Sequence, residues 1–327
     1  MNKYFNILSA LFLVFAFNVA LAEDYNKLFV FGDSLSDTGN VAFLTAPSGF
    51  SIPPASRYYQ GRFSNGPIAA EMLMQSLEIE GELQPILALN PEKLSLKNSH
   101  HQAINFAFAG SETGFRNSVL GQFDVPGLLG QVAMFGVIKM NAKPIEDSLA
   151  FIWSGGNDYF NQYFTGSAVS ADRVVGNIKK AIKFLYRSGI RHFMVPNLPD
   201  VGDVPIAHIL AQLNGDNNIP ANLSALTLEH NYKLELVLNK LSRLRGIKIH
   251  RVDAYSIAKK EIAPNDIFPG PASDCLYRPD ISPAICTAVP FELGDGLIFW
   301  DETHTSTQVH QLFAEEFSRV LDDYENE

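Results

Sequence analysis

The chain has 327 residues, 25 of them Lys or Arg and 35 Asp or Glu, for a formal net charge of −10. So acidic a surface excludes nucleic acid as a partner, which needs clustered Lys and Arg, and gives no attraction to anionic lipid head groups. The length suits one large α/β domain with insertions, and no internal repeat or low-complexity linker divides it.

In chain order, residues 1–22 read as a secretory signal peptide. Lys3 is a short positive start, Phe5 to Phe17 an apolar run, and Ala20-Leu21-Ala22 a small-x-small cleavage pattern. The run, about 13 residues, is short against the roughly 20 that span a bilayer, which disfavours its rival, an uncleaved anchor. No Cys follows the run, which argues against a lipoprotein anchor. Cleavage after about Ala22 would deliver residues 23–327 as one secreted or periplasmic domain.

Five apolar runs then read as strands: Leu28–Phe31, Ile104–Phe108, Leu149–Trp153, His192–Val195 and Ile247–Val252. Between them fall helix-like stretches over Pro67–Leu77, Leu128–Lys139, Ala171–Arg187 and Leu223–Leu244, and a last helix is predicted from about Thr305 to Leu321. Ala171–Arg187 carries Val174, Ile178, Ala181, Ile182 and Leu185 on one helical stripe. Such alternation predicts a parallel sheet of about five strands with helices on both faces. The intervals 40–65, 78–100, 111–127, 197–222 and 254–298 read as long irregular loops, often functional. They and the stretch after Asn157 hold Phe43, Phe50, Tyr58, Tyr59, Phe115, Phe123, Tyr159, Phe160, Tyr163 and Phe164. Tyr159, Phe160, Tyr163 and Phe164 are the expected apolar wall of a substrate site; packing onto the core is the alternative for each.

Cys275 and Cys286 are the two cysteines of the chain. In an exported protein an isolated close pair reads as a disulfide, worth about 3 kcal/mol in the chain-entropy model. The enclosed Leu276–Ile285, with Pro279 and Pro283, has an exposed-loop composition and is a candidate for nicking by a processing protease. A regulatory lid and a plain staple are equally open for this loop. Zinc wants three or four ligands, and no convincing set exists; His100 and His101 sit in a polar stretch and read as surface residues. No metal and no cofactor are expected.

The chemistry concentrates at a few short blocks. Ser34, in Gly32-Asp33-Ser34-Leu35, follows the first strand, where an α/β sheet presents its ligand crevice. A serine needs a base to become a nucleophile, and the base needs a carboxylate to orient it. Asp301 and His304, three apart in Phe299-Trp300-Asp301-Glu302-Thr303-His304, can supply both from one turn. Asn105-Phe106-Ala107-Phe108-Ala109-Gly110 and Gly155-Gly156-Asn157-Asp158 add glycine and amide residues suited to an oxyanion hole. Taken singly, Gly110 is as well a turn and Asn157 a helix cap.

In this order the four blocks resemble those of the GDSL (SGNH) family of lipases and esterases. Gly61-Arg62-Phe63-Ser64-Asn65-Gly66-Pro67 and Val195-Pro196-Asn197-Leu198-Pro199-Asp200 resemble further landmarks of that family. The long opening Gly32–Asn40 and the ending Phe-Trp-Asp-Glu-x-His resemble the branch of exported bacterial phospholipases, lysophospholipases A and glycerophospholipid:cholesterol acyltransferases. One departure is Thr305-Ser306, where many members carry Pro-Thr. The resemblance implies a flavodoxin-like fold and a triad of Ser34 as nucleophile, His304 as base and Asp301 as its orienter. It also implies an oxyanion hole of the Ser34 and Gly110 N–H groups with the Asn157 amide. The activity implied is cleavage of acyl esters of phospholipids or lysophospholipids, with transient docking on a membrane or micelle and with acyl transfer to an alcohol such as a sterol as an added capacity. An esterase on small or carbohydrate esters, or a non-catalytic exported binding protein on the same fold, are the alternatives. An α/β-hydrolase would need a Gly-x-Ser-x-Gly elbow, which is missing.

Overall fold

In a β-strand successive side chains point to opposite faces, and β1 (Lys27–Gly32) is buried on both. Phe29 and Phe31 join one core, Leu28 and Val30 another. A strand apolar on both faces belongs inside a parallel sheet covered by helices. In this computed structural model, which describes residues 25–49, 51–89, 102–119, 122–139, 145, 147–261 and 297–325, that is where it lies.

The sheet also contains β2 (Gln84–Pro85), β3 (Gln102–Asn105), β6 (Ser148–Trp153), β7 (His192–Pro196) and β8 (Lys248–Val252). Its order is β2-β3-β1-β6-β7-β8, with every pairing parallel. Set aside the two-residue edge strand β2, and the order is that of a flavodoxin-like sheet, as expected. A separate antiparallel hairpin joins β4 (Arg116–Val119) to β5 (Phe123–Pro126). The second expected strand, β3, was expected to reach Phe108 but ends at Asn105. Phe106 and Phe108 still donate to the β1 carbonyls of Val30 and Gly32. On the other side the Asn40 amide occupies the carbonyls of Asn105 and Ala107, where a further strand would bond.

On the Phe29 face lie α3 (Leu128–Lys139), α5 (Ala171–Arg187) and α7 (Ile219–Leu241), through Val132, Phe135, Ile178, Ile182, Leu234 and Leu238. The other face is covered by α2 (Ala69–Ser76), α8 (Ala254–Glu261) and α9 (Thr307–Glu325), through Leu73, Ala258, Phe313 and Phe317. The α5 stripe of Val174, Ile178, Ala181, Ile182 and Leu185 is buried as its spacing predicts.

All five intervals expected to be irregular hold some regular structure. Residues 40–65 contain α1 (Asn40–Thr45), 78–100 the short strand β2, 111–127 the β4–β5 hairpin, 197–222 the helix α6 (Pro205–Asn214), and 254–298 the helix α8. A further surprise is α4 (Gly156–Thr165), which directly follows β6. The predicted signal peptide, His100, His101, Cys275, Cys286 and Phe50 lie outside the described residues.

Candidate active site

The nucleophile candidate stands on a tightly held turn. At Gly32, the last residue of β1, an added Cβ would lie 2.3 Å from the Trp153 carbonyl oxygen, so only glycine lets β1 and β6 come this close. The buried Gln131 side chain of α3 then acts like one more strand. It accepts from Gly32 N (2.9 Å) and donates to Gly32 O (2.8 Å) and to Ser111 Oγ (3.1 Å). Ser111 Oγ in turn donates to Gly32 O (2.8 Å). The ends of β1 and of the Gly110 segment are thereby bolted together.

Asp37 makes the same connection from the other side. Its carboxylate accepts from the N–H groups of Gly39 (2.8 Å), Asn40 (2.6 Å) and Val41 (3.1 Å), capping α1, and from Ala109 N (2.9 Å). Four backbone donors hold this carboxylate, yet its complete burial outweighs them and pushes its pKa up to about 6. Burial also raises Asp33, beside Ser34, to about 6, opposed by its bond from Leu35 N–H and by the charge of His304.

Gly110 has φ +75, and an added Cβ would lie 2.7 Å from Val119 Cγ2. A left-handed backbone and a close neighbour both call for glycine here. Asn117 Nδ2 fixes the position by donating to Gly110 O (2.8 Å). Asn157 lies in the first turn of α4, and its Nδ2 donates to Ser111 O (3.1 Å). A primary amide has a second N–H to give. Next to it Asp158 is buried, accepting from Thr113 N (2.8 Å) and Thr113 Oγ1 (2.9 Å). Burial, with Glu112 nearby, pushes Asp158 up to about 7.

Asp301 and His304 form a buried pair. His304 Nδ1 lies 2.7 Å from Asp301 Oδ2, and the N–H groups of Thr303 and His304 each donate to Asp301 Oδ1 at 2.7 Å. Tyr58 OH donates to Asp301 Oδ2 at 2.6 Å. Burial raises the Asp301 carboxyl, but the charge of His304 and the hydrogen bonds from His304, Tyr58 and Thr303 outweigh it and hold the group below the usual carboxylate range. An imidazole whose Nδ1 faces a carboxylate keeps Nε2 free to act as a base.

Two cavities meet at Ser34, Asn157, Thr303 and His304. The first has about 720 Å³ of empty space, part of it open to solvent, over apolar walls that include Phe160, Leu198, Val201, Val204 and Phe299. The second, about 530 Å³ and also partly open, runs past Gly110, Phe63, Ile52, Val119 and Phe123. Of the expected wall residues, Phe160 lines the first cavity. The other three sit elsewhere, because α4 turns them to different sides. Tyr159 is buried with its hydroxyl 2.9 Å from His230 Nδ1, Tyr163 packs on the small core between α4 and α6, and Phe164 is exposed. Tyr58, grouped with loop aromatics, is buried, while Phe43 and Phe115 are exposed. Among the described residues no group of three or more His, Cys, Asp or Glu is placed to hold a metal ion.

Gln131, Asp37 and Tyr58 were not foreseen as site residues. Asp37 carried a signal, an acid just before a short helix. The other two act across long stretches of sequence and left none.

Similarity to known proteins follows the same outline. The family model for GDSL-like lipases and acylhydrolases matches residues 28–317. A GDSL esterase/lipase of Arabidopsis thaliana is 32% identical over 320 residues, covering 88% of this chain and 79% of that protein. The phosphatidylcholine-sterol acyltransferase of Aeromonas hydrophila is 25% identical over 333 residues, covering 89% of this chain and 88% of its own. The crystal structure of an acetylxylan esterase from Geobacillus stearothermophilus superposes with a TM-score of 0.45 at 12% identity, over 90% of this chain and 94% of that one.

Proposed function

Because the chain belongs to the GDSL-like lipase/acylhydrolase family, we propose that Ser34, His304 and Asp301 form a triad that cleaves acyl esters of phospholipids or lysophospholipids. The observation that carries this is that Ser34, His304 and Asn157 line one apolar cavity, with His304 already paired to a buried carboxylate. His304 takes the proton of Ser34 Oγ as that oxygen attacks the ester carbonyl. The N–H groups of Ser34 and Gly110 and the Asn157 amide receive the developing oxyanion. His304 then gives its proton to the leaving alcohol, and the acyl group remains on Ser34. Water, activated by the same histidine, releases the fatty acid; a sterol hydroxyl in its place would carry the acyl group away as an ester.

The lipid assignment is supported by the apolar walls around Phe160, Val201, Val204 and Phe299, since an acyl chain gains by leaving water. The similarity to the Aeromonas acyltransferase supports the same substrate class. Export through the predicted signal peptide would bring the enzyme to membrane or micelle surfaces. The test is a panel of diacyl and monoacyl phospholipids, p-nitrophenyl esters and acetylated sugars, with and without cholesterol, on wild-type and Ser34→Ala protein. Long-chain lipid turnover that vanishes with Ser34, on the order of 10⁶ in kcat, is expected. Turnover of short esters alone would replace the lipid reading with a small-ester esterase. Full turnover by Ser34→Ala would refute the triad, and silence towards a fluorophosphonate probe would favour a binding protein.

A further inference from the structure

The segment 57–65, which includes part of the Gly61–Pro67 landmark, is strapped across the segment that holds Asp301 and His304. Trp300 Nε1 donates to Arg57 O (2.8 Å), Ser64 Oγ donates to Thr305 O (3.0 Å), and Thr307 N donates to Asn65 Oδ1 (2.8 Å). The Phe63 ring lies 5.0 Å from the His304 ring, centre to centre. Within this strap a tyrosine reaches the reacting groups. Tyr58, fully buried, places its hydroxyl on Asp301 Oδ2, the oxygen that also faces His304 Nδ1.

We propose that Tyr58 is a positioning residue of the triad, which fixes the Asp301 carboxylate through the oxygen it shares with His304 and thereby sets the strength of the base. This rests on the triad assigned above. A carboxylate accepts about four hydrogen bonds, and Asp301 has four: two backbone N–H groups on Oδ1, Tyr58 and His304 on Oδ2. With every acceptor site used, the carboxylate is held against rotation and keeps one oxygen on the imidazole. The Tyr58 donor also draws negative charge from that oxygen, so less remains to stabilise the imidazolium. Tyr58 thus trades base strength for orientation.

From the elements packed around it, His304 faces Asp301 in its own segment, Tyr58 from the strap, Asp33 from the nucleophile turn and His310 from α9. Burial, reinforced by the charge of His304, pushes His310 down to about 3, so it stays neutral over an assay range above pH 5. Asp33 titrates near 6 and must be separated from His304. The measurement is therefore the pH profile of kcat/KM for Tyr58→Phe, in the wild-type and in an Asp33→Asn background.

Removing the hydroxyl should move the acid limb to higher pH by about half a unit or more in both backgrounds. It should also lower plateau kcat about tenfold with KM unchanged. Ser64→Ala removes the strap's bond to Thr305 O without touching Asp301 or His304 and should leave the acid limb in place. Added to Asp301→Asn, Tyr58→Phe should cost less than about twofold, since residues that act through one another are not additive. An unmoved acid limb overturns the proposal, as does an equal shift in Ser64→Ala or a full multiplicative loss in the double variant. If Ser34→Ala were active, the triad itself would fall; if it is inactive while the Tyr58→Phe profile stays unchanged, only this inference falls.

Discussion

Gly110→Ala would separate two demands that the structure makes at one residue. At φ +75 an alanine sits in the left-handed region, which costs roughly 1–2 kcal/mol. Its methyl would also fall 2.7 Å from Val119 Cγ2 and 3.0 Å from Val119 Cγ1. Val119 is β-branched and short, so it cannot swing away as a lysine would, and the overlap adds about 1–3 kcal/mol. For a domain of this size 1 kcal/mol moves Tm by about 1.5 °C, so a fall of about 3–8 °C is expected. The displaced N–H at residue 110 should lower kcat by up to the 10²–10³ seen for loss of an oxyanion donor. Val119→Ala removes both clashing atoms but leaves φ as it is. In that background Gly110→Ala should cost only the conformational part. Thermal melts and p-nitrophenyl ester kinetics on the four proteins of this cycle give the coupling. Equal cost in both backgrounds would refute the steric account, and wild-type kcat in Gly110→Ala would remove residue 110 from the oxyanion hole.

Asn157→Ala should lower kcat by about 10²–10³ while Ser34 still labels with a fluorophosphonate, because nucleophile and base remain. Wild-type kcat would mean that the amide serves only its bond to Ser111 O. Asp158→Asn should change the pH dependence of stability. Burial raises the folded pKa of Asp158 to about 7 from 3.8. The folded state thus binds more proton than the unfolded one between those values, and stability is lost as pH rises through 7, by up to about 1.4 kcal/mol per pH unit. Chemical denaturation from pH 4 to 7.5 should show this slope flattened in Asp158→Asn; an identical slope would assign it elsewhere.

How far the sequence was legible depends on the range over which each signal acts. Helices α3 and α5 run from Leu128 to Lys139 and from Ala171 to Arg187, as expected, α5 on the spacing of its apolar stripe. The five main strands were legible because both of their faces are buried. Short elements were not. Helix α1, capped by Asp37, is too short for a periodic stripe; α6, opened by Pro205, buries Ile206, Ala207, Leu210 and Ala211 on one face, but its turn-rich flanks hid it. Tyr159 to Phe164 were expected to wall one site together, and a helix of 10 residues sends them instead to a core, a cavity and solvent. Ser34, Gly110, Asn157, Asp301 and His304 stood out by their motifs. Their supports did not, since Tyr58 and Asp301 are 243 positions apart and no local pattern records such a pair.

The strap over residues 300–307 means that the two halves of the proposed triad are held by different kinds of bond. Ser34 rides on the central strand of the sheet, so separating it from its surroundings requires opening the core. Asp301 and His304 are tied to residues 57–65 by side-chain hydrogen bonds and to α6 by the Ile206 N–H on the Glu302 carbonyl, while the bridge between Phe299 and Thr305 closes their own loop. Segments held in this way open locally at a lower free energy than core strands. Mild denaturant or heat should therefore silence the enzyme while its sheet is still folded, and return to native conditions should restore turnover by redocking one segment, with no need to rebuild the fold.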